Sequence, residues 1–410
     1  MSDSQSKSGG RSQGATLAIV LTALVSVGPI STDLYLPSLP SMRFDLAASE
    51  GQAQLTLSAF LVGFALAQLF QGPLSDRFGR KPVMLGGLLV YVLASMACVF
   101  APTIELLIMG RVLQALGACV GPVVGRAIVR DVYGPNDAAR VLSYIASAMA
   151  LAPAVGPLIG GAVQEFLGWR ANFYAMLIYG VIAVGLLLWL VPETNRYKDP
   201  DATRPGAILR NYRALLRERR YLGYVWVTAA VFGGLFAFIS GSSFIIIETL
   251  GYSPFAFGLC FLVFVTGFMT GSLLSGRFSR RFGVDRLILI GTSLGLAAGT
   301  AGAVFALAGV LNLWVILVPI FPFMVGCGMV LPNAFAGAIG PYPRMAGAAS
   351  ALLGFLQMVV GAASGVAVGQ LADGTARPMM VMIFLGALLG FWARVVLLRG
   401  PSEPKDVTSG

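Results

Sequence analysis

Gly72-Pro-Leu-Ser-Asp-Arg-Phe-Gly-Arg-Lys-Pro82 is a stretch of turn chemistry and charge set between two long apolar runs. Gly72 and Gly79 permit positive φ and close backbone approach, and Pro73 and Pro82 bracket a bend. Asp76, Arg77, Arg80 and Lys81 keep the stretch in water and can pair across it. The pattern predicts a short, rigid loop joining two membrane helices.

Composition outside the stretch agrees. Of 410 residues 57% are hydrophobic and 11% charged, against roughly a quarter charged in soluble domains, which marks an integral membrane protein. Apolar runs of about 20 residues cross a bilayer as helices. Twelve occur, at 15–36, 53–72, 83–101, 104–126, 138–163, 171–191, 221–242, 254–275, 286–309, 311–332, 345–371 and 378–398. The expected fold class is therefore all-α, with twelve transmembrane helices.

Residues 1–14 are Ser, Gly and Gln with Lys7 and Arg11, too polar to fold, and read as a mobile cytoplasmic tail. They are not a cleaved signal, because the apolar run behind them exceeds a signal core and ends in no small-residue cleavage pattern. The longest polar interval, 192–220, carries Arg196, Lys198, Arg204, Arg210, Arg213, Arg217, Arg219 and Arg220. It divides the chain into six spans at 15–191 and six at 221–398, with 399–410 as a second cytoplasmic tail. Within it, 206–220 reads equally as an amphipathic helix on anionic headgroups, through Ile208, Leu209, Tyr212, Leu215 and Leu216, or as a solvated tether.

Of the 28 Lys and Arg residues, a cytoplasmic N-terminus leaves only Arg43, Arg170 and Arg377 in or beside outward loops and Arg111 inside a span; the other 24 gather at the inner face. The net charge of +10 is thus a topology signal, and no nucleic-acid partner is expected. Cys98, Cys119, Cys260 and Cys327 all fall in predicted spans without C-x-x-C spacing and read as packing residues with free thiols. Histidine is absent, and no phosphate-binding loop, H-E-x-x-H helix or G-x-S-x-G elbow occurs. No enzyme, metal site or cofactor is expected. The chain must work by moving something, driven by a substrate or ion gradient, and a proton carrier would have to be a carboxylate.

The opening stretch resembles the signature between the second and third helices of the major facilitator superfamily, G-x-L-x-D-R-x-G-R-K/R, with every specified position present. Leu274-Ser-Gly-Arg-Phe-Ser-Arg280 repeats Leu74-Ser-Asp-Arg-Phe-Gly-Arg80 at an offset of 200, with Gly276 for Asp76 and Ser279 for Gly79. A parallel repeat of half the chain is what two related helix bundles leave behind. The resemblance implies two six-helix bundles and a cytoplasmic gating motif of Gly72, Asp76, Arg77, Gly79 and Arg80. In it Asp76 faces a helix N-terminus or an arginine such as Arg126 or Arg130; the second half would lack that carboxylate.

Acids inside the bilayer are the informative residues, and Asp33 in Ser31-Thr-Asp-Leu-Tyr-Leu-Pro-Ser-Leu-Pro40 is essentially the only one. A carboxylate at membrane depth costs a few kcal/mol unless paired, hydrated or protonated. Asp33 reads as a switchable proton site or as a cap on the bend ahead of Pro37. The pattern Asp33, Tyr35, Leu36, Pro37 resembles the drug:proton antiporters of the superfamily, particularly the bicyclomycin- and chloramphenicol-resistance group, Bcr/CflA. The matching cation is Arg111, well inside the fourth span, with Gln114 on its face. Its R-x-x-Q-G-like segment is similar to the family motif assigned to proton transfer; a purely structural arginine tying the first span to the fourth is the other reading.

In the fifth span, Pro153 and Pro157 each remove a helix hydrogen bond, and Gly156, Gly160 and Gly161 permit close approach, giving a hinge or a sealing contact. Gly156, Pro157, Gly160 and Gly161 match the family's antiporter motif G-P-x-x-G-G, with Ala152 where a glycine usually precedes it. Gly168-Trp-Arg-Ala-Asn-Phe173 is similar to the start of the family's sixth helix, with Trp169 at the interface. In the second half Phe232 and Phe236, one turn apart, read as cavity aromatics or as packing, alongside Phe238, Phe244, Pro319, Pro322, Pro332 and Asn333.

These readings converge on a proton-coupled multidrug efflux transporter of the bacterial inner membrane, with both termini cytoplasmic. It would export small amphipathic compounds such as antibiotics by alternating access, as a monomer. Asp33 and Arg111 are the expected proton-coupling pair, and Tyr35, Gln114, Phe232 and Phe236 the expected substrate cavity. A narrow exporter of an amino acid or nucleoside on the same fold is the alternative.

Overall fold

The computed structural model describes residues 3–133, 135–195, 198–200, 202–342 and 345–398, some by backbone alone; Arg196 and the tail 399–410 lie outside them. Among the described residues all regular structure is helical. In hydrocarbon every backbone N–H and C=O must be satisfied within its own segment, and the apolar runs meet that demand as helices.

Helix α1 (Asp3–Asp33) ends at the candidate acid, and a 3-10 turn (Leu36–Ser38) and α2 (Leu39–Asp45) continue the span. Pro37 and Pro40 are the second residues of these two short pieces, within the first turn, where a missing N–H costs nothing. Then come α3 (Glu50–Phe78), α4 (Arg80–Val99), α5 (Ile104–Ala118), α6 (Val120–Val132), α7 (Pro135–Leu167) and α8 (Trp169–Leu190). Ser49 and Gln52 form a reciprocal capping box at the start of α3. The second half holds α9 (Pro205–Leu215), α10 (Arg219–Ser243) with a π turn at Phe244–Thr249, α11 (Pro254–Phe282), α12 (Val284–Leu307), α13 (Leu313–Ile339), α14 (Ala346–Gln370) and α15 (Arg377–Leu397). Among the described residues 11 stretches are long and apolar enough to cross a membrane; α7, 33 residues long, completes the twelve spans.

Three local differences from the sequence reading have physical causes. The stretch from Gly72 to Arg80 is not a loop. Helix α3 runs through Pro73 to Phe78, and the turn is the single residue Gly79, at φ 108° with its N–H donated to Ser75 O. One forfeited hydrogen bond at Pro73 costs less than opening a whole turn. Helix α1 also begins at Asp3, inside the polar tail, because a helix nucleated in an apolar run propagates cheaply into its flank. Trp169, read as an interfacial residue, turns its ring into the protein at the start of α8: it packs edge-on against Phe173 and donates to Asp45 Oδ2 at 2.8 Å.

The chain forms two compact units. The first holds the described residues up to Arg204 together with Ser242–Leu262, and the second holds Pro205–Gly241 with the described residues from Val263 onward. The first unit centres on Leu21, Leu24, Leu57, Phe60, Tyr91 and Phe173; the second on Phe238, Ile288, Phe323 and Val330. Large apolar side chains such as Leu93, Trp189, Trp314 and Leu389 stand exposed, as a lipid-facing surface requires. Helix α9 forms where the sequence left helix and tether open, with Leu215 buried while Leu209 and Leu216 stay exposed. The four cysteines are unpaired, three of them buried.

Candidate functional site

Because α1 stops at Asp33, the carbonyls of its last turn have no partner in the helix. Arg111, fully buried on α5, takes one of them: Nη2 donates to Ser31 O at 2.8 Å. Nη1 donates to Gln114 Oε1, and Nε reaches Thr56 O at 3.5 Å. The guanidinium carbon lies 4.3 Å from the ring centroids of both Tyr35 and Phe60 and 6.0 Å from that of Phe173. Carbonyl dipoles and two aromatic faces thus stabilise a cation that cannot shed its charge.

The cage is itself braced. Gln114 Nε2 donates to Ser95 Oγ at 2.8 Å, Tyr35 and Thr56 share a hydroxyl contact of 3.1 Å, and Ser31 and Tyr91 share one of 2.8 Å. Thr56, Phe60, Ser95 and Tyr91 escaped the sequence reading, since a lone polar or aromatic residue in an apolar run carries no pattern. Tyr35 and Gln114, expected to line a cavity, are fully buried in this cage. Phe232 and Phe236 do stack, with centroids 6.1 Å apart; Phe236 is buried and Phe232 half-buried.

Asp33 does not pair with Arg111. Its carboxylate is buried and accepts from Thr32 Oγ at 3.1 Å, and its Cβ faces α7 at Gly156. The donors of Arg111 are already engaged, and the acid leaves α1 on another side. The glycines of the fifth span explain this packing. A side chain at Gly156 would press on Asp33, and one at Gly160 would overlap the Leu34 carbonyl. One at Gly161 would overlap the carbonyl of Pro254, also in the first unit. Pro153 and Pro157 lie within the same continuous helix. Nearby, Asn172 Nδ2 donates to Ser38 Oγ and Gly160 O, and Arg43 pairs with Glu248 at 3.0 Å.

At the signature turn Asp76 pairs with Arg80, four residues on, rather than with Arg126 or Arg130; Arg126 donates to Pro122 O instead. Arg80 also reaches Asp131 at 3.0 Å, and Arg77 donates to Thr203. Gly72, expected to permit positive φ and close approach, lies inside α3 without positive φ, and a side chain there would meet only Val123 at 3.9 Å, because the turn falls at Gly79 instead. Glu193, unread in the sequence, accepts from the backbone N–H groups of Arg80 and Lys81 at 3.0 and 3.2 Å and so caps α4. Burial pushes its pKa up, but backbone donors from Asn195, Arg80, Lys81 and Thr194 outweigh that and hold it below the ordinary glutamate range. Its contribution is therefore complete at neutral pH and fades as pH falls through that depressed value. Glu193→Ala is expected to lower stability by about 1 kcal/mol at pH 7, seen as a lower melting temperature in detergent. The gap to the native chain should close in acid.

In the second unit Gly276 leaves no acid at the repeat, but Asp285, at the start of α12, accepts from Arg220 at 3.0 Å and Tyr224 at 2.9 Å. The second half thus has a carboxylate–arginine contact in a different register, invisible to a motif search. Phe238 packs on Phe264 at 4.1 Å, and Asn333 donates to Ser275 Oγ.

A two-bundle helical membrane protein with a buried acid and a caged arginine among its spans is built as a secondary transporter. The chain belongs to the Major Facilitator Superfamily, whose family model matches residues 21–365. It is 32% identical to the bicyclomycin resistance protein homolog of Haemophilus influenzae, over 90% of this chain and 93% of that one. It is 31% identical to multidrug resistance protein D of Escherichia coli, over 85% and 87%, and 34% identical to YdgK of Bacillus subtilis, named an uncharacterized MFS-type transporter, over 91% and 93%. Among solved structures it is similar to a bacterial homologue of the human lysosomal transporter Spinster, with a TM-score of 0.73 at 17% identity over 96% of this chain and 99% of that one. The xylose transporter XylE of E. coli gives 0.72 at 13% identity, over 93% and 96%. These two likenesses concern the fold alone.

Proposed function

We propose that this chain is a proton-coupled exporter of small amphipathic compounds, antibiotics among them, working by alternating access in a bacterial inner membrane. The observation that carries the reading is the placement of Asp33. It is a buried carboxylate without a cationic partner among the described residues, set at the break of α1 and packed against Gly156 of α7. Adding or removing a proton there changes the charge at the contact between two helices, which is what coupling a proton to a conformational change requires. The drug-resistance names of the relatives support antibiotics as cargo.

In this reading Arg111 is a positioning residue that fixes the end of α1 through Ser31 O, while Asp33 carries the proton. The driving force is the proton gradient, with no cofactor or metal, and the chain works as a monomer with both termini cytoplasmic. The test is drug-induced proton release from purified protein in weakly buffered detergent. Release of protons on adding chloramphenicol places drug and proton in competition. Drug binding without release moves the chain to uncoupled transport, and resistance to no drug on overexpression moves it to a narrow metabolite exporter.

A further inference from the structure

The second unit contains a polar pair that none of the motifs accounts for. Helix α14 has no charged residue, and Gln357 lies near its middle with Ser364 seven residues on, two turns along the same face. Both side chains are more than nine-tenths buried, and neither Gln357 Oε1 nor Ser364 Oγ has a hydrogen-bond partner among the described residues.

Among the described residues Ser58, Ser242 and Ser243 also have a buried Oγ without a partner, but only Ser364 shares its helix face with a second unpartnered polar atom, Gln357 Oε1. Thr22, Ser26, Ser31, Ser95, Thr228 and Thr300 each donate to the carbonyl four residues back. Ser364 does not, so its oxygen is turned away from the nearest acceptor. Gly361 lies between the two polar groups and leaves the face without a side chain there. Opposite, α10 meets this part of α14 at Gly233, where a side chain would touch Val360 and Ser364. No acid occurs in the sequences of α10, α13 or α14.

We propose that Gln357 and Ser364 form a hydrogen-bonding subsite of the second bundle for an uncharged substrate group, a hydroxyl or amide N–H. A buried carbonyl oxygen at mid-membrane without a donor is costly, and a neutral donor satisfies it where an ammonium would lack an anion. The subsite deepens the export reading: it selects neutral, donor-bearing drugs over permanent cations.

The experiment measures binding of two probes to purified protein: chloramphenicol, which is neutral with hydroxyl and amide donors, and tetraphenylphosphonium, a cation with no donor. Gln357→Leu is expected to weaken chloramphenicol binding about tenfold, as loss of one buried hydrogen bond does, and Ser364→Ala severalfold. Tetraphenylphosphonium binding should be unchanged in both, which also reports an intact fold. Unchanged chloramphenicol affinity in both variants overturns the subsite, and so does an equal loss for both probes. Failure of the export reading would look different, with the native chain binding chloramphenicol yet showing no gradient-driven efflux of it.

Discussion

Asp33→Asn is expected to reduce gradient-driven drug efflux to the level of empty vesicles while leaving folding and drug binding intact. Asparagine has the shape of aspartate and keeps an acceptor for the Thr32 hydroxyl, so the packing of the α1 break against Gly156 survives. It cannot exchange a proton, and no other acid lies in the spans at comparable depth. The measurement is drug-dependent proton movement in inverted vesicles beside drug exchange without a gradient. Lost proton movement with retained exchange supports Asp33 as the carrier, and normal gradient-driven efflux in the variant removes it from that role.

Arg111→Lys is expected to cost more stability than any other single charge-conserving change. A lysine ammonium cannot span Ser31 O, Gln114 Oε1 and the Thr56 carbonyl with one planar fork, nor lie flat between Tyr35 and Phe60. Hydrogen bonds to a charged group are worth about 1.5–3 kcal/mol each, so loss of one or two should lower the melting temperature by several degrees and depress transport with it. Arg111→Met, which removes the charge as well, separates the roles. If Arg111 only fixes the end of α1, the lysine and methionine variants lose transport in proportion to stability. A lysine variant that is unstable yet transports at the native rate would show that the fork is not needed during the cycle.

Much of the molecule was legible because the signals are local. A span is a run of apolar residues, and the glycine spacing at 156, 160 and 161 forecast the close approaches that α7 makes to α1 and to the start of α11. The acid and the arginine stood out for the same reason, since a charge in an apolar run needs no partner to be noticed. Their relation did not. Sequence reasoning had Arg111 pair with Asp33 in one state and release it in another; in this structure the end of α1 exposes a carbonyl that Arg111 takes, and Asp33 turns to α7.

The signature turn divides in the same way. Its residues were readable, but the partner of Asp76, the cap from Glu193 and the substitute acid Asp285 were not, because each joins residues brought together only by folding. The sequence by itself determined the number of spans, the repeat and the residues able to carry charge in a bilayer, all of which follow from the cost of moving single groups into hydrocarbon. Tertiary structure alone decided which of those groups meet, because hydrogen bonds and ring contacts depend on where a helix stops and on which neighbour its small residues admit.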